Sequence, residues 1–208
     1  MINIVSPSRP RGRPRAFNRD EALRAAGLTF WRLGYEGASL VDLTAAMGIT
    51  PQSLYAAFGS KAALYTEALS LYQAEAGQFT ARALAEEPTV VATFTRILLE
   101  SATQFTCSDQ PNGCMISTAT LACAEAHRPI ADTVAGLRGA TLSAFEARVS
   151  RGISLGDIDP GADPAALARF VGAIIQGMSV QARDGASESE LLAVARLAIA
   201  EVARHGRA

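Results

Sequence analysis

The segment SLVDLTAAMGITPQSLYAAF, residues 39–58, contains two short helix patterns separated by a glycine. Ser39 is a helix N-cap, and Gly48 supplies the positive φ that a tight turn after a short helix requires. Thr50 followed by Pro51 is a second N-cap with proline at the first helical position. Apolar residues at helical spacing can hold the two helices together: Leu43, Met47, Ile49, Leu54 and Phe58. Two short helices joined at a glycine predict a helix-turn-helix.

The second of these helices would expose neutral side chains that form hydrogen bonds. The face opposite Leu54 and Phe58 carries Thr50, Gln52, Ser53 and Tyr55. In a DNA major groove Gln can pair with adenine, and hydroxyls can pair with several bases. An ordinary helical hairpin is the alternative, although its exposed face would more often carry Glu and Lys. The neutral face therefore favours a helix that reads duplex DNA.

Helix signals continue to the end of the chain, without the alternation that marks strands. The predicted helices cover about 19–33, 40–47, 51–58, 61–80, 88–105, 114–125, 130–153, 164–183 and 188–204. The predicted fold class is all-α, with a three-helix head, a helical body and about nine helices. We assign residues 1–17 to a flexible basic arm, 18–60 to the head and 61–208 to the body.

Basic residues are concentrated in the first third of the chain. Residues 1–65 carry eight Lys and Arg against four acids, whereas the remainder is acidic. A basic head suits a polyanion, although a solvated surface and a disordered tail explain the same balance. Within the arm, Arg11-Gly-Arg13-Pro-Arg15 resembles the core of AT-hooks, which suits a narrow A/T-rich minor groove. A basic tail that adds only nonspecific attraction is the alternative.

Three positions near helix starts are candidates for holding DNA phosphates. Ser39 and Thr50 lie at predicted N-termini, where free N–H groups and the helix dipole favour anions. Lys61, the only lysine in the chain, begins the predicted fourth helix.

Composition argues against several other classes of protein. Apolar residues make up 49% of the chain, yet no stretch approaches the roughly 20 residues that a membrane span needs. The first five residues are too few for the apolar core of a secretory signal. Three cysteines fit a reducing compartment better than a disulfide framework. We therefore expect a cytoplasmic protein that does not bind membranes.

The segment from about Gly12 to Tyr72 resembles the DNA-binding head of the tetracycline-repressor (TetR) family. The matching motifs are Gly12-Arg-Pro-Arg15, Ala25-Ala26, Phe30, Gly34-Tyr35, Ser39, Met47-Gly48-Ile49, Ser53-Leu54-Tyr55, Phe58, Ser60-Lys61 and Leu64. The resemblance implies a long connecting fourth helix and a divergent body that binds an effector and dimerises. It also implies DNA contacts at Ser39, Thr50, Pro51, Gln52, Ser53, Tyr55 and Lys61. Ala57 departs from the family's usual His or Tyr, which removes one phosphate contact, and Ala62 replaces a common acid.

The C-terminal segments resemble the family's dimerisation helices, which pair with their mates in a four-helix bundle. The implied interface residues are Phe170, Gly172, Ala173, Ile174, Gly177, Met178, Leu192, Leu197 and Ile199. The alternative is that this surface closes the core of a single chain. A single short recognition helix reads too few base pairs for useful specificity, so we predict a homodimer on a palindromic operator.

The body also offers a candidate effector pocket, which we expect to favour an apolar or aromatic small molecule. Its candidate lining residues are Leu71, Phe94, Leu98, Phe105, Cys114, Met115, Phe145 and Phe170. Simple core packing is the alternative for most of them. No cofactor is indicated, and Cys123 with His127, at i and i+4, gives only two possible metal ligands, so no metal site is predicted.

Cys114 is a candidate sensor. Pro111-Asn-Gly-Cys114 resembles the Gly-Cys loop of a TetR subgroup that includes electrophile-sensing repressors. We expect Cys114 at a helix N-terminus, where the dipole would activate the thiol, with Cys107 as a resolving partner. A small buried apolar cysteine is the alternative.

The sequence therefore predicts a repressor rather than an enzyme. Two other functions remain open: an architectural protein that binds A/T-rich DNA through the arm, and a helical ligand-binding protein or enzyme without DNA specificity.

Overall fold

The computed structural model describes residues 17–207. Within this range the chain forms nine α-helices and one short 3-10 turn, and it forms no β-strand. The helices are α1 (Arg19–Gly37), α2 (Leu40–Met47), α3 (Pro51–Phe58), α4 (Lys61–Ala74), α5 (Gln78–Glu86), α6 (Val90–Phe105), α7 (Arg128–Leu155), α8 (Pro164–Arg183) and α9 (Glu188–Ala203). The all-α prediction is confirmed. The basic arm with Arg11, Arg13 and Arg15 lies outside the described residues.

Local sequence signals explain the start of each helix in the head. Asn18, Ser39, Thr50 and Ser60 each accept a hydrogen bond from a backbone N–H in the first turn of the helix that follows. Gly48 ends α2 in the left-handed conformation, with φ 65° and ψ 28°. These caps fix the lengths of α2 and α3, and so they fix the turn between them.

A shared apolar core holds the head together. Phe30 of α1, Leu43 of α2 and Leu54 of α3 are all buried, and Tyr65 of α4 packs against Phe30 with ring centroids 4.9 Å apart. The α4 helix packs along α1, and near its end the Tyr72 hydroxyl bonds to Cys114 in the loop after α6, so α4 links the head to the body.

The core of the body is built around α6. This helix packs along α9 and also contacts α5, α7 and α8. Phe94 of α6 and Phe145 of α7 form an edge-to-face pair with centroids 5.3 Å apart.

Two helix predictions in the body are wrong. The predicted helix at 61–80 ends at Ala74, and α5 starts after Gly77, a residue of low helix propensity. The predicted helix at 114–125 is instead a series of turns followed by a 3-10 turn at Glu125–His127. Two backbone carbonyls in this segment accept hydrogen bonds from a side chain rather than from backbone N–H groups of a helix. The Arg138 guanidinium donates to the carbonyls of Ile116 and Ala119.

The α8 helix departs from the expectation that no apolar stretch has the length of a membrane span. By length and composition alone this 20-residue helix meets that criterion. It contacts α6, α7 and α9, and a packed core helix passes the same test.

Candidate nucleic-acid interface and effector cavity

The predicted reading face of α3 lies in solvent. Thr50, Pro51 and Gln52 are exposed, Ser53 is half-buried, and 46% of the Tyr55 surface is accessible. Leu54, on the opposite face, is completely buried. The helix therefore presents side chains able to donate and accept hydrogen bonds, while its apolar side is anchored on the head.

The N-termini of α2 and α3 differ as sites for an anion. At α2, the Ser39 hydroxyl donates to the Asp42 carboxylate at 2.6 Å, and this bond lowers the pKa of Asp42. At α3 the first turn contains no acid, and the Thr50 hydroxyl accepts from the Ser53 N–H at 3.1 Å. A phosphate near α2 would meet the negative charge of Asp42, so the start of α3 is the more favourable anion site.

Lys61 is held in place where α4 begins. Its Nζ lies 4.7 Å from the centroid of the Tyr35 ring, a cation–π contact. Partial burial lowers the pKa of Lys61, and the negative charge of Glu36 acts in the opposite direction. The contact fixes the direction of the only lysine in the chain next to the helix-turn-helix.

A cavity of about 330 Å³ lies within the body. Three of the predicted ligand residues, Phe105, Cys114 and Phe145, line it. Leu71 and Met115 instead line a smaller cavity of about 260 Å³. Phe94 and Leu98 are fully buried core residues, and neither they nor Phe170 line either cavity.

The larger cavity also has polar lining residues that the sequence did not indicate. They are Tyr72, Gln73, Thr80, Ser117, Arg138, Thr141 and Gln176. No local motif marks them, because they come from separate helices and one loop. The cavity is therefore apolar with a polar fraction, whereas the sequence had indicated only apolar lining residues and Cys114.

Cys114 connects this cavity to the packing of the body. Its Sγ accepts a hydrogen bond from the Tyr72 hydroxyl at 3.2 Å and one from the Ser117 N–H at 3.4 Å. Its own N–H donates to the Ser179 hydroxyl at 2.7 Å. No helix begins at Cys114, so the prediction that a helix dipole activates its thiol is wrong. The two hydrogen-bond donors, Tyr72 and Ser117, would instead stabilise a negative charge on the sulfur.

Tyr72, the hydroxyl of which donates to Cys114 Sγ, is itself a buried side chain. Burial raises its pKa well above the ordinary value, and the nearby Cys114 adds to the effect. Its ring packs edge-to-face on Trp31 of α1, with centroids 4.8 Å apart. A change at the thiol would therefore reach the head through one side chain.

Glu36 joins the end of α1 to the body, a contact that the sequence did not indicate. The carboxylate accepts from the Ala124 N–H and pairs with Nδ1 of His127, both at 2.8 Å. The bond to His127 is the main reason that the pKa of Glu36 is lowered. A second junction is formed by Arg183, which donates to the Trp31 carbonyl.

Two of the residues predicted for the dimer interface are buried inside the chain instead of lying on its surface. Met178 is completely buried within the chain, and Gly172 is buried where a Cβ would lie 2.5 Å from Leu142 of α7. Leu197 is 76% exposed, and Ala173 is also exposed. The remaining predicted residues are half-buried: Phe170, Ile174, Gly177, Leu192 and Ile199.

Comparison with known proteins gives matches over both parts of the chain. Residues 22–68 match the model for bacterial regulatory proteins of the tetR family, and residues 90–198 match the tetracyclin repressor-like C-terminal domain. Two relatives from Escherichia coli (strain K12) cover most of the chain. The HTH-type transcriptional repressor ComR is 34% identical over 89% of each chain, and the HTH-type transcriptional repressor BdcR is 30% identical over 92% of each.

A solved structure extends the comparison to a complex. It is a cysteine mutant of the TetR family transcriptional regulator CifR, complexed with 26 bp of double-strand operator DNA. CifR is 40% identical to this chain, with a TM-score of 0.87, and the match covers 91% of this chain and 98% of CifR.

Proposed function

The chain belongs to the TetR family of bacterial transcriptional regulators, and from this membership we propose that it is a homodimeric repressor of a palindromic operator. The observation that carries the proposal is the exposed face of α3, with Gln52 and Tyr55 in solvent. CifR, which shares the fold at 40% identity, is complexed with operator DNA. Such a repressor acts in the cytoplasm, where bacterial DNA lies, and its function requires no catalysis.

The geometry of a twofold pair explains how the operator is read. Two copies of α3 enter successive major grooves about 34–36 Å apart, so the two half-sites form an inverted repeat. The start of α3 and Lys61 contact phosphates, and Gln52 contacts a base edge. Affinity should fall steeply as salt rises, because each phosphate contact releases counterions.

Binding to the DNA upstream of the protein's own gene tests this proposal. We expect a footprint over an inverted repeat, and a duplex with one half-site scrambled should bind far more weakly in fluorescence anisotropy. Equal binding to A/T-rich duplexes without a repeat would favour an architectural protein. Absence of binding to any duplex would favour a ligand-binding protein or enzyme.

We further propose that modification of Cys114 releases the repressor from DNA. The thiol lines the larger cavity and touches Tyr72, which packs on Trp31 of the head. Addition of the sulfur to the double bond of a maleimide forms a C–S bond, and the thiol proton passes to the adjacent carbon. The bulkier sulfur would displace Tyr72 and shift the dimer toward a form whose heads do not match the operator.

N-ethylmaleimide provides the test. We expect it to release the wild-type protein from the operator and to leave Cys114→Ser bound. The control variants Cys107→Ser and Cys123→Ser should still be released by this reagent. With hydrogen peroxide as the reagent, a Cys107→Ser variant that stays bound to the operator, as Cys114→Ser should, would support Cys107 as the resolving partner. Unchanged release of Cys114→Ser by both reagents would end the thiol proposal and leave the operator proposal intact.

A further inference from the structure

Glu36 is held by the body, although it lies in the head beside the residue that holds Lys61. Its carboxylate accepts from the Ala124 N–H and pairs with Nδ1 of His127, both at 2.8 Å. Both partners lie at the 3-10 turn before α7, with Ala124 as its N-cap. Tyr35, the preceding residue, carries the Lys61 Nζ over its ring, 4.7 Å from the centroid. The body therefore fixes a carboxylate close to the cation that is proposed to contact phosphate.

The charges of Glu36 and Lys61 already act on each other. The negative charge of Glu36 opposes the lowering of the Lys61 pKa by burial, and the positive charge of Lys61 contributes to the lowered pKa of Glu36. Within residues 17–207, however, Lys61 forms no ion pair with Glu36 or with any other acid. Its charge is left for DNA because the body occupies the carboxylate.

The contact between Glu36 and the body can exchange without opening the core. The side chains of Glu36 and His127 are 41% and 37% exposed. A carboxylate that lost its two partners would be attracted to the nearby ammonium group of Lys61, since opposite charges at a surface favour pairing modestly. The two arrangements of Glu36 therefore differ in what they leave for a phosphate.

We propose that Glu36 is an autoinhibitory residue. While the body holds its carboxylate, Lys61 is available to a DNA phosphate; when the 3-10 turn moves away, the carboxylate pairs with Lys61 and takes the place of the phosphate. The loop that contains Cys114 leads into this turn, so a shift of the loop would withdraw both partners of Glu36. The inference rests on the proposed function in one point, the contact between Lys61 and DNA. The exchange of partners belongs to the DNA-free protein.

The single lysine of the chain makes the exchange measurable without DNA. A water-soluble carbodiimide activates a carboxylate, and an amine in contact with it then forms an amide while the reagent leaves as a urea. In the full-length wild type we expect little amide between Glu36 and Lys61. In His127→Ala we expect several-fold more, identified by mass spectrometry of the cross-linked peptides.

Ala124→Pro releases the same carboxylate in a second way. It removes the backbone donor, and the φ of −63° at this position is one that proline adopts. The amide between Glu36 and Lys61 should increase here as well, which keeps the test independent of the folding of either variant. An amide yield that stayed at the wild-type level in both variants would overturn the proposal.

Operator affinity provides the second readout. We expect His127→Ala to weaken binding by about 3- to 10-fold, because each protomer of the dimer loses one phosphate contact. Adding Glu36→Gln to His127→Ala should restore most of the affinity, since the competing carboxylate is gone. Adding Glu125→Gln instead removes an equal charge from the same turn and should restore much less. If the junction were merely structural, His127→Ala with Glu36→Gln would bind no better than His127→Ala alone.

The two readouts let the two proposals fail separately. A chain that bound no operator would fail the affinity test in every variant, while the cross-link would still report where the Glu36 carboxylate lies. A cross-link that increased without any loss of operator affinity would contradict autoinhibition and leave operator binding intact.

Discussion

At the scale of single residues, Gln52 is the side chain best suited to select a base. Its amide carries both donors and acceptors, and it is exposed on α3. We predict that Gln52→Ala lowers discrimination at one operator position by about 1–3 kcal/mol, because the paired base edge loses its partner. Anisotropy against the operator and its single-base variants measures the loss.

Lys61→Ala is the matched comparison for that measurement. This cation contacts phosphate rather than bases, so we expect weaker binding to every duplex alike and a salt slope smaller by about 1. If Gln52→Ala also weakened all duplexes equally, its proposed role in reading bases would be refuted.

The sequence predicted correctly which side chains are exposed where helical spacing alone determines their exposure. Leu54 and Gln52 lie on opposite faces of α3, as their spacing predicted, and they are respectively buried and exposed. The partners of Cys114 could not be found in this way. Tyr72 and Ser179 come from distant parts of the chain, and only the packing of α4 and α8 brings them to the thiol.

At the scale of elements, the turn between α2 and α3 depends on Gly48. Its φ of 65° is a conformation that a β-carbon disfavours, although nothing lies within 4 Å of where that carbon would be. We predict that Gly48→Ala destabilises the protein by about 1 kcal/mol, measured by urea unfolding. Gly48→Asn should cost less, since Asn tolerates this region, and equal stability of the Ala variant and wild type would contradict the argument.

The contact between α1 and the 3-10 turn predicts a dependence on pH. The folded state lowers the pKa of Glu36 below its ordinary value of 4.5. Its stabilising contribution is therefore fully present above pH 4.5 and is lost as pH falls through the lower folded value. We predict that Glu36→Gln melts at a lower temperature than wild type near neutral pH, and that this difference shrinks below pH 4.5.

Glu125→Gln is the control for this pH prediction. It removes a carboxylate from the same 3-10 turn, and Glu125 makes no side-chain hydrogen bond or ion pair among the described residues. Its melting temperature should follow that of the wild type across the series. A Glu36→Gln variant that did the same would show that the contact adds nothing to stability.

Element prediction from sequence was most accurate where caps and periodicity agreed. Thr50 with Pro51 predicted the start of α3, and Ser39 with Gly48 predicted the two ends of α2. The segment 114–125 failed because its carbonyls are bound by Arg138 of α7, a tertiary contact that overrides local preference.

At the scale of the whole molecule, the exposed face of α8 and α9 predicts the dimer. Leu197 is 76% exposed, and it lies among the residues that the resemblance to the TetR family implies for the interface. We predict that Leu197→Asp shifts the protein from dimer to monomer in sedimentation velocity, because an unpaired carboxylate would be buried in the interface. Operator binding should weaken together with the loss of the dimer.

Leu155→Asp is the corresponding control. Leu155 is 64% exposed at the end of α7, outside the predicted interface, so this variant should remain a dimer. Dissociation of both variants, or of neither, would contradict the assignment of the interface to α8 and α9. Helical spacing could not separate Met178 and Gly172 from their exposed neighbours, because apolar residues on α8 serve both the internal core and the outer face.

Hydrogen bonds within α3 hold two side chains of its reading face, Thr50 and Ser53, in place. The hydroxyls of Thr50 and Ser53 are 2.9 Å apart and hydrogen-bonded to each other, and Thr50 also holds the first turn. Side chains locked in this way lose little freedom when a ligand arrives. Encounter with DNA should therefore need no slow rearrangement of this helix, and related operators should differ mainly in how long the complex survives rather than in how fast it forms.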